Sequence, residues 1–385
     1  MKRIRTAIFG TGFMGRVHLE ALRRVEGVEV VAIVGRELAS AERLGSGFGI
    51  ERFESDYRKV LSDPTIDAVH ICTPNALHYP MAKDALLAGK HVLCEKPLST
   101  SVETAQELVQ LAANRNLRNC VCHNLRYYPM VQQMRRMRED GDLGRILIVQ
   151  GNYLQDWLLD EAAWNWRIDS AAGGQLRTMG DVGTHWFDMA EHITGLRVHS
   201  LCADLQTFFP IRQKQSKSVQ TFVSHASAEN PGIAEQVTVD TEDFGAVLFR
   251  MDDGARGTMI ASQMAAGRKN QLKIEIFGTK ASASWDQERP DELWIGHRDR
   301  ANNVYIKDPA LMKEKARTYA DLPCGHSEGY DDTFKQVFRR FYASIEQPNS
   351  PAEYPQLTDG LRHMILMDAE LKSHRSRRWV DIENP

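Results

Sequence analysis

The sequence predicts an α/β chain in which a doubly wound parallel sheet precedes a C-terminal α+β part built on a large, mostly antiparallel open sheet. Three observations predict it. An apolar run, Ile4–Phe9, is followed at once by the glycines Gly10, Gly12 and Gly15 of "GTGFMG". Strand-like apolar runs then alternate with helically spaced segments as far as Asn124. Beyond Arg126 the alternation gives way to closely spaced strand-like runs.

The first strand, Ile4–Phe9, leads into Phe13 to Val25, where Leu19 and Leu22 are apolar and Glu20, Arg23 and Arg24 polar, the spacing of a half-buried helix. Val28–Val34, "VEVVAIV", is the near-continuous apolar run of a parallel strand covered on both faces. This β-α-β unit of about 30 residues is the setting a dinucleotide fingerprint requires. Gly10 makes the tight turn, Gly12 admits a pyrophosphate, and Gly15 lets the helix pack on the strand. The whole turn (Gly10, Thr11, Gly12, Phe13, Met14, Gly15) is expected to hold the phosphates on the N–H groups of the helix start. An acid for the ribose hydroxyl is expected at the end of the second strand, but Gly35 and Arg36 stand there. A guanidinium would bind a 2′-phosphate, so the cofactor reading is NAD(P), with NADP(H) favoured over NAD(H). Ser40 could add a hydrogen bond, and Glu37 turned inward would serve NAD(H) instead.

The alternation continues. Ala68–Cys72 is a strand, His78–Ala88 a helix, "KHVLCEKP" a strand ending at Glu95, Ser101–Ala113 a helix capped by Thr100 or Ser101, and "NCVCHN" the last parallel strand. Ligands of such sheets sit at the carboxyl ends of the strands. Those ends carry Gly10, Arg36, Thr73, Pro74, Asn75, Glu95, Lys96, Pro97, His123 and Asn124.

In the second half Pro129 opens a helix ending near Gly141. "ILIVQGNYLQ", "EDFGAVLFRMDDGARGTMIASQM", "QLKIEIFGTKASASW" and "DELWIG" are strands, with hairpin turns at Asp253-Gly254 and at Gly278-Thr279-Lys280. Helices are expected over Asp181–Thr194, Glu328–Ile345 and Leu357–Ser373, then a short "RRWVDI" strand, and a mobile loop over 213–220. The domain reading is 1–124 for cofactor binding and 125–385 for substrate binding and assembly.

Length and composition agree: 385 residues exceed one ordinary core, and 42% hydrophobic with 26% charged residues is a globular balance. A net charge of -3 argues against a nucleic-acid partner. No apolar run approaches the roughly 18 residues of a membrane span, and no signal-like stretch precedes the glycines. The six cysteines show no paired spacing, so reduced thiols and a cytoplasmic location are expected, with Cys120 and Cys122 packed in the core.

Four stretches resemble the Gfo/Idh/MocA oxidoreductases, the family of glucose–fructose oxidoreductase and inositol dehydrogenase: "GTGFMG" at 10–15, "CTPNALH" at 72–78, "GKHVLCEKPL" at 89–98 and "GDVGTHWFDMAEHITG" at 180–195. The resemblance covers nearly the whole chain. It implies an N-terminal Rossmann domain and a C-terminal open sheet whose face holds a sugar or cyclic polyol. It also implies that Lys96, Asp181 and His185 line the reaction site, and that the loop at Gly173-Gly174 covers the nicotinamide, with Trp166 and Arg167 before it.

Oxidising a secondary alcohol removes a hydride and a proton, and an imidazole such as His185 is the side chain whose ordinary titration suits the proton. Lys96 is placed to donate to the substrate oxygen. Asp181, four residues before His185, is expected to share its helix face and orient it, or to bind a second hydroxyl. Further cofactor contacts are expected from Thr73, Pro74, Asn75, His78, Glu95 and Asn124. Substrate contacts are expected from Arg126, Tyr153, Gln155 and His326, the first beside Tyr127 and the next two alternating with Trp157 as a stacking surface or as ordinary sheet packing. No metal is expected: Asp188 and His192 are rotated from the Asp181–His185 pair. The activity read from these residues is hydride transfer between a nicotinamide and a carbohydrate alcohol or ketone. A glycosidase using bound NAD and a non-catalytic dinucleotide-binding regulator are the alternatives. A homo-oligomer, dimer or tetramer, is expected through the C-terminal sheet, whose open apolar face needs a cover.

Overall fold

The computed structural model describes residues 3–215 and 234–383. They form two compact units. The first comprises Met1–Asn124, Ala171–Gly174 and Asp331–Met364; the second comprises Leu125–Ser170, Gln175–Tyr330 and Ile365–Pro385. The division changes unit after Asn124 and returns twice to the first unit. Its physical cause is local. Val121 donates its N–H to the Pro355 carbonyl, and Leu357 donates to Asn119 Oδ1, so the 355–357 segment is tied to the last strand of the first unit.

The first unit is a six-stranded, wholly parallel sheet of order β3-β2-β1-β4-β5-β6. The strands are β1 (Ile4–Phe9), β2 (Val28–Val34), β3 (Arg52–Glu54), β4 (Ala68–Ile71), β5 (His91–Cys94) and β6 (Asn119–Val121). The interior residues Ile8, Phe9, Val69, Val92 and Leu93 are fully buried, as a sheet covered on both faces requires. Between the strands run α1 (Phe13–Leu22), α2 (His78–Leu87) and α3 (Val102–Arg115). α1 stops at Leu22, short of Val25, because Arg24 and Val25 close tighter turns onto Ala21 and Leu22. Ser101 caps α3 by accepting the Thr104 N–H, and Asn116 ends it in the left-handed region at φ 50°. Where the strands end, bonds run from Gly10 to Val34, from Cys72 to Phe9, from Glu95 to Ile71 and from Cys122 to Cys94. These steps bring the predicted turns side by side along one edge.

The second unit is a nine-stranded sheet of order β16-β15-β14-β13-β7-β12-β11-β8-β17, with a separate antiparallel pair, β9 (Ile211–Gln215) and β10 (Ala234–Thr238). Its strands are β7 (Ile146–Leu154), β8 (Val198–Gln206), β11 (Phe244–Met251), β12 (Arg256–Ser262), β13 (Gln271–Gly278), β14 (Ser282–Asp286), β15 (Glu292–Gly296), β16 (Asn303–Ile306) and β17 (Val380–Asp381). Only β7 with β12 is parallel; every other pairing is antiparallel. Of the expected loop at 213–220, residues 213–215 belong to β9 and the remainder lies outside the described residues.

Helix α4 (Pro129–Glu139) begins at the predicted proline. The segment expected as one helix over Asp181–Thr194 has two parts: a π turn, Met179–Gly183, and then α5 (Thr184–Thr194). α5 lays Trp186 and Phe187 against Phe249 of β11, at ring separations of 5.8 and 5.5 Å. The opposite sheet face exposes Ile148, Leu248 and Ile260. Helices α6 (Tyr330–Glu346) and α7 (Leu357–Ser376) follow. Cys72, Cys94, Cys120 and Cys122 are buried free thiols, and burial pushes those of Cys72, Cys94 and Cys122 well above the ordinary range. Among the described residues no helix is long and apolar enough to cross a membrane.

Candidate active site

In the first unit the glycine turn has the shape of a phosphate cradle. Gly10 sits at φ +112°, and a Cβ there would lie 2.5 Å from the Cys72 carbonyl oxygen. A Cβ on Gly15 would lie 2.1 Å from the Gly10 oxygen, so strand end and helix start touch through bare backbone. At Gly12 a Cβ would meet nothing within 4 Å. The open side of the turn is thus at Gly12, at the start of α1, whose first N–H groups receive no side-chain cap. Thr73 adds a buried hydroxyl with no partner among the described residues. These features fit a dinucleotide. Phe13 is 46% exposed beside the turn.

At the end of β2, Gly35 is buried: a Cβ there would come within 2.5 Å of Ser40 Oγ and 2.9 Å of Thr11 Cγ2. Thr11 donates to Ser40 Oγ, and Ser40 donates to the Glu37 carbonyl, so this serine is engaged by the chain itself. Arg36 and Glu37 extend from the edge, 3.6 Å apart and with side chains 92% and 68% exposed.

The Thr73-Pro74-Asn75 and Glu95-Lys96-Pro97 turns are joined by His78. Its buried ring places Nδ1 2.7 Å from the Pro97 carbonyl oxygen and Nε2 2.8 Å from that of Thr73. Both polar atoms of this expected cofactor contact therefore meet protein backbone. Asn75 donates to the Gly173 carbonyl, drawing the small-residue loop onto the first unit. Glu95 is 5% exposed and accepts from His18 and from the Lys96 N–H. Lys96 is half-buried at the same sheet edge as Gly10. Asn124 donates to Thr333 Oγ1.

In the second unit Asp181 lies in the π turn and His185 one turn on, at the start of α5. His185 is 8% exposed and Tyr153 4%. Their rings are 6.4 Å apart. Asp181 accepts from Arg167 Nε at 3.2 Å and from Gln263 Nε2 at 3.0 Å. Arg167 also lies over the Trp166 ring, 4.5 Å from its centre. The expected face-sharing of Asp181 with His185 on a regular helix is replaced by a wider π turn, with Asp181 anchored by residues from other segments.

Behind this turn stands Glu242, which the sequence reading missed. Its carboxyl accepts the N–H groups of Arg177 and Met179 at 2.9 and 2.7 Å. Burial raises its pKa to about 7, against the pull of those N–H bonds. Arg177 and Arg212 share the buried Asp243. An acid between two strands carries no periodic signal, which is why it went unread.

Two expected substrate contacts, Arg126 and His326, differ in their surroundings. Arg126 spans both oxygens of the buried Asp188, so its guanidinium is part of the packing of α5. His326 is exposed in the loop before α6. Tyr153 and Gln155 both donate to Asn270 Oδ1, and Trp157 donates to Gln155. Trp157 packs against the cluster of Leu158, Ala163, Ile168 and Val239, and β7 ends at Leu154, so the trio forms a hydrogen-bonded corner, not one strand face. His192 is half-buried; desolvation and the nearby guanidinium groups hold its pKa well below the ordinary imidazole value, and Gln132 reaches its ring.

Residues 4–123 match the family model described as the oxidoreductase family with an NAD-binding Rossmann fold. Residues 131–284 match the GFO/IDH/MocA C-terminal domain. The chain is 30% identical to levoglucosan dehydrogenase of Pseudarthrobacter phenanthrenivorans, over 99% of each chain. It is 23% identical to inositol 2-dehydrogenase of Rhizobium meliloti, over 98% of this chain and 99% of that one. Among solved structures it superposes on levoglucosan dehydrogenase in complex with NADH and L-sorbose with a TM-score of 0.89, at 28% identity and full coverage of both chains. An inositol dehydrogenase homologue complexed with NAD+ from Azotobacter vinelandii gives 0.86 at 25% identity, covering 99% and 97% of the two chains. With both halves matched and the glycine turn, the Lys96 edge and the His185 helix in place, the chain belongs to the Gfo/Idh/MocA family of oxidoreductases.

Proposed function

We propose that this protein is an NAD(P)-dependent dehydrogenase or reductase acting on a secondary alcohol or ketone of a sugar, sugar derivative or cyclic polyol. The observation that carries the reading is the shared sheet edge: Lys96 stands at the end of β5, in the row that begins with the open turn at Gly12. The relatives that bind or oxidise levoglucosan, sorbose and inositol support the substrate class. Bound NAD(P) supplies the hydride acceptor or donor. His185 takes the alcohol proton as the carbonyl forms and returns it in reduction. Lys96 donates to the substrate oxygen and stabilises its negative charge. Asp181, held by Arg167 and Gln263, is assigned to a second substrate hydroxyl or to orienting the imidazole.

The finer cofactor reading is a preference for NADP(H). Gly35 carries no carboxylate, and the Arg36 guanidinium is free of burial at the same strand end. Assembly is read as a homo-oligomer through the sheet face bearing Ile148, Leu248 and Ile260. The test is a screen of pyranoses, cyclitols and their lactones, followed by the near-ultraviolet absorbance of reduced nicotinamide. Cofactor-dependent absorbance change supports the reading; release of a glycoside's leaving group without net cofactor change would overturn it.

A further inference from the structure

The first unit buries a chain of polar side chains that the proposed chemistry does not use. His18 lies on the inner face of α1 and His70 in β4, both fully buried. His18 Nε2 is 2.9 Å from Glu95 Oε1, His18 Nδ1 is 2.9 Å from His70 Nδ1, and His70 Nε2 is 2.8 Å from the Tyr342 hydroxyl. The other Glu95 oxygen accepts the Lys96 main-chain N–H at 3.2 Å. We propose that His18, backed by His70 and Tyr342, is a positioning residue for Lys96: it fixes the Glu95 carboxylate, and Glu95 fixes the turn from which Lys96 projects. The inference rests on the reading of Lys96 as a reaction-site residue.

Burial alone would raise the Glu95 pKa, but the His18 hydrogen bond and charge, with Lys96, outweigh it and hold it below the usual carboxylate range. An ionised carboxylate only accepts, so His18 Nε2 carries a proton directed at it. One proton then serves the contact between the two Nδ1 atoms, and the Tyr342 hydroxyl, able to donate or accept, completes either arrangement. Tyr342 is itself buried, so the chain ends inside the core. It therefore orients a carboxylate and does not carry protons to solvent.

The imidazoles are held tightly. Phe338 packs on both, 4.8 Å from each ring centre, Phe334 packs 5.6 Å from His18, and Tyr342 stacks on His70. The thiols of Cys72 and Cys122 lie 3.2 and 3.8 Å from His18 nitrogens, and burial keeps both protonated. His18, Glu95 and Cys122 are also near enough together to ligate a metal. The direct His18–Glu95 hydrogen bond opposes that use, because a bound cation would displace its proton.

The experiment compares His18→Leu, His18→Gln, Tyr342→Phe and Lys96→Ala in the full chain, measuring kcat, substrate KM and the Kd of the reduced cofactor. Leucine removes the donor, whereas glutamine keeps an N–H. His18→Leu is expected to lower kcat by about 10²-fold, the scale of a displaced catalytic group, with cofactor Kd nearly unchanged. His18→Gln is expected to restore most of that loss. Tyr342→Phe, the mildest change, is expected to lower kcat several-fold in the same pattern and serves if His18→Leu does not fold. Equal losses for leucine and glutamine, a loss confined to cofactor Kd, an unaltered Tyr342→Phe enzyme, or stoichiometric zinc in the purified protein would overturn the inference. If Lys96→Ala alone loses activity, only this inference fails; if Lys96→Ala keeps full kcat, the reading of Lys96 itself fails.

Discussion

Three glycines within six residues do different work, and the difference is measurable. A methyl group at Gly15 collides with the Gly10 backbone oxygen, whereas one at Gly12 meets open space at an ordinary φ of -77°. Gly15→Ala is expected to destabilise the fold by about 1–3 kcal/mol, the cost of overpacking. Gly12→Ala is expected to leave stability within about 0.5 kcal/mol yet weaken dinucleotide binding at least tenfold, or about 1.4 kcal/mol. Thermal melts beside cofactor titrations separate the two; a Gly12→Ala protein that binds normally would remove the phosphates from this turn. At Arg36 the expectation is a loss of roughly 1.5–3 kcal/mol in NADP(H) binding on Arg36→Ala, with NAD(H) spared. Equal loss for both cofactors would refute contact with a 2′-phosphate.

Among the elements, strands and turns were legible and side-chain partnerships across long separations were not. The β-α-β opening, the helix start at Pro129 and the hairpins at Asp253-Gly254 and Gly278–Lys280 follow from local pattern, and the chain forms them. The π turn at Met179–Gly183 does not follow from spacing: the N–H groups of Arg177 and Met179 at its start go to Glu242, a loop acid some sixty residues on. The same limit hid His18: it reads as one more inner-face residue of α1 until Glu95 and His70 are folded against it. Glu242 also carries a pH prediction. Its folded pKa of about 7 exceeds the ordinary 4.5, so the unfolded chain releases this proton first. The charged form is favoured by unfolding, and stability is lost as pH rises from about 4.5 to 7, by about 3 kcal/mol. The stability difference between wild type and Glu242→Gln, read from urea midpoints, should shift against the wild type across that window. An equal difference at pH 5 and pH 8 would contradict the assignment.

For the whole molecule, the open sheet face is the feature that composition alone could not locate. Ile148, Leu248 and Ile260 are 46%, 51% and 43% exposed on three neighbouring strands, while the other face is packed under α5. Light scattering is expected to show a dimer or tetramer, and Leu248→Glu with Ile260→Glu to shift it to monomer; a monomeric wild type at micromolar concentration would end that proposal.

The proposal that Lys96 and His185 serve a single hydride-transfer reaction is the one on which the functional reading depends. Its most direct measurement is the pH dependence of kcat for the wild type, Lys96→Ala and His185→Ala on the best substrate from the screen. Each substitution should lower kcat by about 10²–10⁴-fold, the worth of a positioned acid or base, with cofactor affinity within a few-fold. The two losses should not add if both groups act on one substrate oxygen. The limb near neutrality should vanish only in the histidine variant. A His185→Ala enzyme that keeps the wild-type kcat and that limb would contradict the account.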